Sequence, residues 1–432
     1  MTQQRTLFDI GASERFRNRS VKAVTFQGKL GRPIHRWYRL TASFSPQLAD
    51  DIATHFRLGT DDLVLDPFSG VGTVPLTMKY RSIPAFSVEI NPYLHFVSTV
   101  KNRTYRDPEA TATYFASFVQ RYRAHLDEVP DEGQAAAYLS GNANFVPPIK
   151  NVERWWSPAN LMQLVCLRRL LLDMKEESFD FDLLRMGVLA ILIPVSNAKH
   201  NHVSLTFADE PMPKVDVCQV LSDKLEEMIA DLRAVAGLPS AAVHVFRGNS
   251  KQLVEVIKGQ QPTAVITSPP YPNRFSYARE TRPHLFFMNF LSESRSVGAL
   301  ETEAIGGTWG KATSVLANGV EPANAFIAEL LAPYRRSVPS NGSLMESYVI
   351  KYFNDMYQHA SQVAAVCSGA ARLAYVIGNS KFYGAPLPSD ELLAELFQHF
   401  GFRLDGIEKM RRRQSKSGLH EAVVLMSRAS RT

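Results

Sequence analysis

Cysteine is scarce in this sequence, and long unbroken apolar runs are missing from it. The three cysteines among its 432 residues, Cys166, Cys218 and Cys367, are far apart with no CxxC spacing. That excludes a disulfide framework and a cysteine-built zinc site, fits a reducing compartment, and leaves no metal to be expected. The longest apolar stretch, Met186 to Val195 (MGVLAILIPV), is too short to span a bilayer and reads as a buried helix. The first thirty residues carry no basic-then-apolar signal pattern, and no repeat or low-complexity tract follows, so a cytoplasmic globular protein without a membrane partner is expected.

What the chain does have is apolar mass and positive charge. At 45% hydrophobic residues it can bury one large core or two smaller ones. Its 48 Lys and Arg against 42 Asp and Glu give a formal charge of +6, a field that attracts polyanions without naming one. The excess is greatest near the N-terminus, where Arg15, Arg17, Arg19, Lys22, Lys29, Arg32, Arg36 and Arg39 occur with no acidic residue among them. Residues 1–43 therefore read as a basic arm, either near phosphates or simply solvated.

Periodicity divides the rest. "FSPQLADDIATHF" opens with a Ser-Pro helix start and spaces Leu48, Ile52 and Phe56 three or four residues apart. "DDLVLDPFSGVGT" then gives a short buried strand, Asp66 at its carboxyl end, and glycines before a helix over Thr73 to Tyr80. "AFSVEI" is a second strand ending on Glu89, and "NPYLHFVSTV" returns to helix. This β-α-β-α alternation over 44–106 predicts a parallel sheet covered by helices. Over 107–240 the alternation gives way to helical patterns such as "LMQLVCLRRLLLDM", read as an insertion. It resumes over 241–432 with "VHVFRGNS", "AVITSPPY", a helix near Glu346 to Val366, "ARLAYVIGNS", a helix stopping at Gly401, and two terminal strand runs joined by the basic "RRRQSKSG".

In open parallel sheets, ligands bind beyond the carboxyl ends of the strands where strand order reverses, so residues just after strands deserve the closest reading. Gly70 and Gly72 remove side chains where backbone can approach a ligand, and the helix opening at Thr73 presents free N–H groups. A GxG of this kind suits a nucleotide-type site or a tight turn. The missing GK[ST] ending argues against a Walker loop. Glu89, about twenty residues on, can accept both hydroxyls of a ribose or cap the following helix.

"DPFSGVGT" followed by "TSPPY" resembles the paired signature of S-adenosylmethionine-dependent exocyclic-amino DNA methyltransferases of the SPPY type. The resemblance covers about 44–91 and 243–427, and it does not reach the helical insertion. It implies an α/β fold: a Rossmann-like class I methyltransferase sheet, mostly parallel with an antiparallel last strand, here with a large helical insertion. It implies S-adenosylmethionine as cofactor, held by Phe44 and Pro46 of "FSPQL", by Asp66, Phe68, Gly70, Gly72 and Thr73, by Glu89, and by Asn249 and Ser250. Asn249 stands where the family often has Asp, so its contact with the adenine amino group would run through an amide oxygen. The cofactor loop precedes the catalytic loop, which departs from the commonest order of SPPY enzymes and leaves the strand connectivity open.

The resemblance assigns catalysis to Ser268, Pro269, Pro270 and Tyr271, and the chemistry fits those residue types. An aromatic amino nitrogen is a poor nucleophile because its lone pair is delocalised into the ring. Acceptors aimed at its two hydrogens, the Ser268 hydroxyl and the Pro269 carbonyl, favour the pyramidal form that attacks. The prolines fix φ and hold those acceptors, while Tyr271 offers a ring on which an extruded base stacks. The family's SPPY loops point to cytosine N4 as the target. The alternatives are adenine N6 in DNA, an amino group in RNA, and a non-catalytic subunit that binds cofactor or nucleic acid. The implied partner is DNA, together with a cognate restriction endonuclease or defence-system subunit, in a prokaryotic cytoplasm.

For DNA contact, Arg274, Arg279 and Arg282 follow the catalytic loop within 272–341, and Arg411, Arg412 and Arg413 sit in the terminal hairpin. Trp309 and Lys311 are further candidates, as are Trp155, Trp156, Lys199, His200 and His202 of the insertion, where core packing is the plainer reading of the Trp pair.

Overall fold

The computed structural model describes residues 16, 20–29, 31–41, 43–199, 205–207, 210, 212–307, 311–335, 343–382, 385–413 and 418–428. Arg15, Arg17, Arg19, His200, His202 and Trp309 lie outside the described residues, as does the side chain of Lys311.

Nine strands are formed by the described residues: β1 Val64–Asp66, β2 Ala85–Glu89, β3 Val243–Arg247, β4 Ala264–Thr267, β5 Arg372–Gly378, β6 Ser380–Phe382, β7 Ala385–Leu387, β8 Phe402–Arg412 and β9 His420–Arg428. Seven of them make one sheet in the order β3-β2-β1-β4-β5-β9-β8, while β6 and β7 form a separate hairpin. Pairing is parallel from β3 through β5, and β9 runs antiparallel to both neighbours. This is a Rossmann-like class I methyltransferase sheet with its antiparallel strand in place.

Strands buried on both faces read as continuous apolar runs, and β1, β4 and most of β5 do. Alternation sorts their side chains. Leu65, Val265, Leu373, Tyr375 and Ile377 face the layer containing α8 (Ser343–Val366) and α9 (Ser389–His399). Val64, Ala264, Ile266, Ala374 and Val376 face the layer of α1 (Pro46–His55) and α2 (Thr73–Tyr80). α1 begins at the Ser-Pro step, with the Ser45 hydroxyl accepting from Gln47 N at 3.1 Å. α3 (Pro92–Asn102) begins the same way at Asn91, whose side chain accepts from Tyr93 N and Leu94 N.

The crossover from β2 to β3 holds α4 (Pro108–Leu126), α5 (Pro158–Asp173), α6 (Phe179–Ile191) and α7 (Val217–Val235), along with shorter turns. These helices share one apolar cluster with Tyr93, Leu94 and Val97 of α3, with Trp37 and Tyr38, and with Leu285 to Phe287. Buried polar ties reinforce that seam. Arg168 Nε donates to Phe287 O at 2.6 Å, and Asp231 accepts from Ile34 N at 2.8 Å and from Arg36 Nη2 at 2.6 Å. The basic N-terminal segment, where it is described, is thus largely packed: Trp37 and Tyr38 are buried, and Arg32 donates to Gln47. Trp155 and Trp156 are also core residues, with Trp156 Nε1 donating to Leu192 O at 3.0 Å.

Candidate active site

The chain passes from β1 to β2 and β3 on one side, then returns to place β4 and β5 on the other, so strand order reverses between β1 and β4. A cavity opens at that point, beyond the carboxyl ends of β1 to β4. Its wall includes Asp66, Phe68, Gly70 and Thr73 after β1, Glu89 after β2, Asn249 and Ser250 after β3, and Ser268 and Pro270 after β4. Phe44 closes it from the side of α1. The two sequence motifs, about two hundred residues apart, therefore meet in one cavity.

Two buried carboxylates hold the β1 loop. Asp66 Oδ1 accepts from Phe68 N at 3.1 Å and from the Thr267 hydroxyl at 2.6 Å, so one atom ties the cofactor-type loop to the end of β4. Glu89 Oε2 accepts from Gly70 N at 2.7 Å and Oε1 from Asn91 N at 2.8 Å. Burial raises Glu89 to about 7, against the pull of those two N–H groups. Asn249 Oδ1 accepts from Lys251 N at 3.0 Å, capping the turn after β3. Beneath the loop, His359 of α8 bonds Tyr375 OH at 2.8 Å and lies 4.7 Å from the Phe68 ring, with burial holding it down to about 4 and hence neutral.

The glycines differ. Gly70 has φ +51° and faces the cavity, and a Cβ there would meet nothing nearer than 3.9 Å. Gly72, φ +75°, lies behind the cavity wall, where a Cβ would come within 2.6 Å of Ser98 Oγ. It permits close packing of α2 on α3. Pro46 sits at the first turn of α1, buried and also behind the wall.

The β4 loop is pinned to α8. Tyr352 OH donates to Pro270 O at 2.8 Å, and Tyr348 OH accepts from Arg274 N at 3.1 Å. Ser268 and Pro270 reach the cavity, whereas Pro269 is buried and the half-buried Tyr271 ring lies against Gly378. Burial raises the Tyr271 phenol, with the Glu421 charge adding to this and a Ser268 hydrogen bond opposing it. Residues that sequence reasoning did not single out complete the wall: Phe275, Ser276, Tyr277 and Glu301, with Ser276 donating to Glu301. Burial and the Glu89 charge raise the Tyr277 phenol. The i,i+4 spacing of Tyr348 and Tyr352 on one helix was the available signal for the pinning pair.

The arginines scatter. Arg274 and Arg279 are exposed, while Arg282 is half-buried over Phe286 at 5.9 Å. Arg411 pairs with Glu421 at 2.7 Å, Arg412 is exposed, and Arg413 donates to Asn379 O at 3.4 Å. Lys199 is exposed and lines a neighbouring cleft with Arg36, Arg39 and Phe275.

The open Cβ space at Gly70, the acid at the end of β2 and the adjoining SPPY loop fit a cofactor with a ribose and a reactive group directed towards β4. No protein-family model matches the chain. Type II methyltransferase M.BsoBI of Geobacillus stearothermophilus is 22% identical over 92% of this chain and 84% of its own length. Type II methyltransferase M.AvaI of Nostoc sp. is 19% identical over 94% of this chain and 88% of its own. Among solved structures, TrmN from Thermus thermophilus aligns with 89% of this chain and 48% of its own at TM-score 0.29 and 8% identity. The chain is thus similar at low identity, over nearly its whole length, to Type II methyltransferases, and with its fold this implies S-adenosylmethionine as cofactor.

Proposed function

We propose that the protein is a DNA methyltransferase that modifies the exocyclic N4 amino group of cytosine in a base extruded from the duplex. The observation that carries this reading is the placement of Ser268, first residue of the SPPY loop, on the wall of the cavity that also holds Gly70 and Glu89. S-adenosylmethionine supplies, when bound, a methyl group on a positively charged sulfur. Phe68, Gly70 and Thr73 of the β1 loop would hold it, Glu89 would accept from its ribose hydroxyls, and Asn249 and Ser250 would face its adenine.

The Ser268 hydroxyl and the Pro269 carbonyl accept the two amino hydrogens of the target base and favour the pyramidal nitrogen. The N–C bond would form as the methyl leaves the sulfonium, S-adenosylhomocysteine would depart, and the amino proton would pass to water, so positioning and electrostatics carry the reaction with no covalent nucleophile. Tyr271 stacks on the extruded base. The three cysteines are buried, consistent with a mechanism that uses none of them. Arg274 and Arg279 extend from the segment beside the cavity and Arg412 from the terminal hairpin, and they approach phosphates flanking the target, while a cognate endonuclease or defence-system subunit completes the biological setting.

The test is product analysis. Unmethylated plasmid DNA is incubated with the protein and S-adenosylmethionine, digested to nucleosides and weighed, and the modified positions are sequenced. N4-methylcytosine at a defined site is expected. N6-methyladenine would overturn the base assignment, and unmodified DNA would favour a non-catalytic subunit.

A further inference from the structure

The terminal hairpin carries three consecutive arginines, and each has a different environment. Arg411 is used within the sheet, its Nε and Nη2 donating to Glu421 at 2.7 and 3.1 Å across the β8–β9 ladder. Arg412 is exposed. Arg413 turns back over the sheet: its N–H donates to Leu419 O at 2.8 Å and its guanidinium reaches Asn379 O at 3.4 Å.

Gly378 explains what Arg413 meets there. It is the last residue of β5 and pairs with Glu421 of β9. A Cβ at this position would stand 3.1 and 3.2 Å from two carbons of the Tyr271 ring and 3.2 Å from Arg413 Nη1. The aromatic ring and the guanidinium thus converge on the same bare Cα, and a methyl there would be tight, requiring one of the two to give by a few tenths of an ångström. The Arg413 charge also acts on the Tyr271 phenol.

We propose that Gly378 and Arg413 are positioning residues for Tyr271: the glycine admits the ring over the end of β5, and the guanidinium closes the space beside it. This assigns a role to the "VIGNS" run and makes the terminal hairpin part of the catalytic neighbourhood. It rests on the reading of Tyr271 as the surface on which the target base stacks.

The experiment is a double-mutant cycle, read as single-turnover methylation of plasmid DNA at saturating protein with radiolabelled S-adenosylmethionine. Gly378→Ala is expected to lower the rate about tenfold by displacing the ring, and Arg413→Gln about three- to fivefold by leaving the ring room to move. Cofactor affinity is expected to stay unchanged in both. On a Tyr271→Ala background each is expected to add less than about twofold, because both act through that ring. Full additive losses on that background would overturn the proposal. So would a wild-type rate for Arg413→Gln with the log–log salt slope of DNA affinity flattened by about 0.9, which would make Arg413 a phosphate contact instead. A wild-type rate for Tyr271→Ala would remove the stacking reading itself. An impaired Tyr271→Ala alongside wild-type rates for Gly378→Ala and Arg413→Gln would remove only this inference. Should Gly378→Ala fail to fold by circular dichroism, the Arg413→Gln arm of the cycle decides alone.

Discussion

The loops after β1 and β4 border the same cavity but are fixed by different means. The backbone of the first is closed mainly from β1 and β2: Gly72 N donates to Ser69 O at 2.8 Å, Ser69 N to Val88 O at 3.0 Å, and the Asp66 and Glu89 carboxylates take the N–H groups of Phe68 and Gly70, with Thr267 and His359 as its distant contacts. The second is held from a distance, by Tyr352 and Tyr348, which stand 82 and 74 residues along the chain from the atoms they bond. A locally closed loop keeps its shape while other parts of the molecule move. A loop pinned from another helix depends on that helix, so cofactor binding and methyl transfer should be separable by mutation.

The largest effect that would sharpen this contrast is expected at Ser268. Ser268→Ala removes one acceptor for the target amino group and should lower kcat by about 10²–10³. Affinity for S-adenosylmethionine, measured by calorimetric titration, should stay within about twofold, since the β1 loop does not depend on that hydroxyl. An equal loss of cofactor affinity would erase the distinction between the loops.

The two glycines of the first loop should part next. Gly72→Ala forces a Cβ to within 2.6 Å of Ser98 Oγ and 2.9 Å of Asn102 Nδ2 at a left-handed φ, and should cost about 2–4 kcal/mol in denaturant melts. Gly70→Ala meets open space, so it should cost only about 1–2 kcal/mol from its positive φ while weakening cofactor binding more than Gly72→Ala does. The sequence marked both glycines for the same role because spacing alone cannot tell which of two turn residues faces the cavity and which faces a helix.

That limit recurs across the molecule. Everything written in local pattern was legible: the Ser-Pro and Asn-Pro helix starts, the buried runs of β1, β4 and β5, the helix over Thr73 to Tyr80, and the residues that follow each strand. Partners brought together by the fold were not. Tyr277 and Glu301 entered the cavity wall from a segment without strong periodicity, and Arg36 of the basic N-terminal run was drawn to Asp231, 195 residues away. The run of three arginines looked uniform, yet Glu421 claims one of them and Gly378 admits another.

A smaller effect is expected at the pin itself. Tyr352→Phe keeps the ring in its place in the core but leaves the Pro270 carbonyl without its hydroxyl donor, at a cost of about 1–3 kcal/mol. Because that carbonyl belongs to the catalytic loop, the loss should show in single-turnover methylation and leave cofactor affinity unchanged. If cofactor affinity fell in parallel, the β1 loop would depend on the position of α8 through the Phe68–His359 contact.

The smallest effect lies in the pH dependence of the first loop. Burial raises Glu89 from 4.5 to about 7, with the Asp66 charge adding to this and the Asn91 and Gly70 N–H groups and Arg247 opposing it. The Tyr277 phenol, on which Glu89 also acts, is itself raised and stays neutral near pH 7. Because the folded value lies above the unfolded one, the folded state binds the extra proton between them. The stability this group contributes is present below about 4.5 and is lost as pH rises through about 7. Ribose hydroxyls, in contrast, donate more strongly to the ionised carboxylate than to the neutral acid, a difference of about 1 kcal/mol. Affinity for S-adenosylhomocysteine should therefore rise about fivefold between about pH 5.5 and 8.5 while the melting temperature of the free protein falls. Glu89→Gln should flatten both trends, and the comparison removes any titration belonging to the ligand. A Glu89→Gln variant that keeps the wild-type pH profile of binding would mean that this carboxylate serves only the backbone of its own loop.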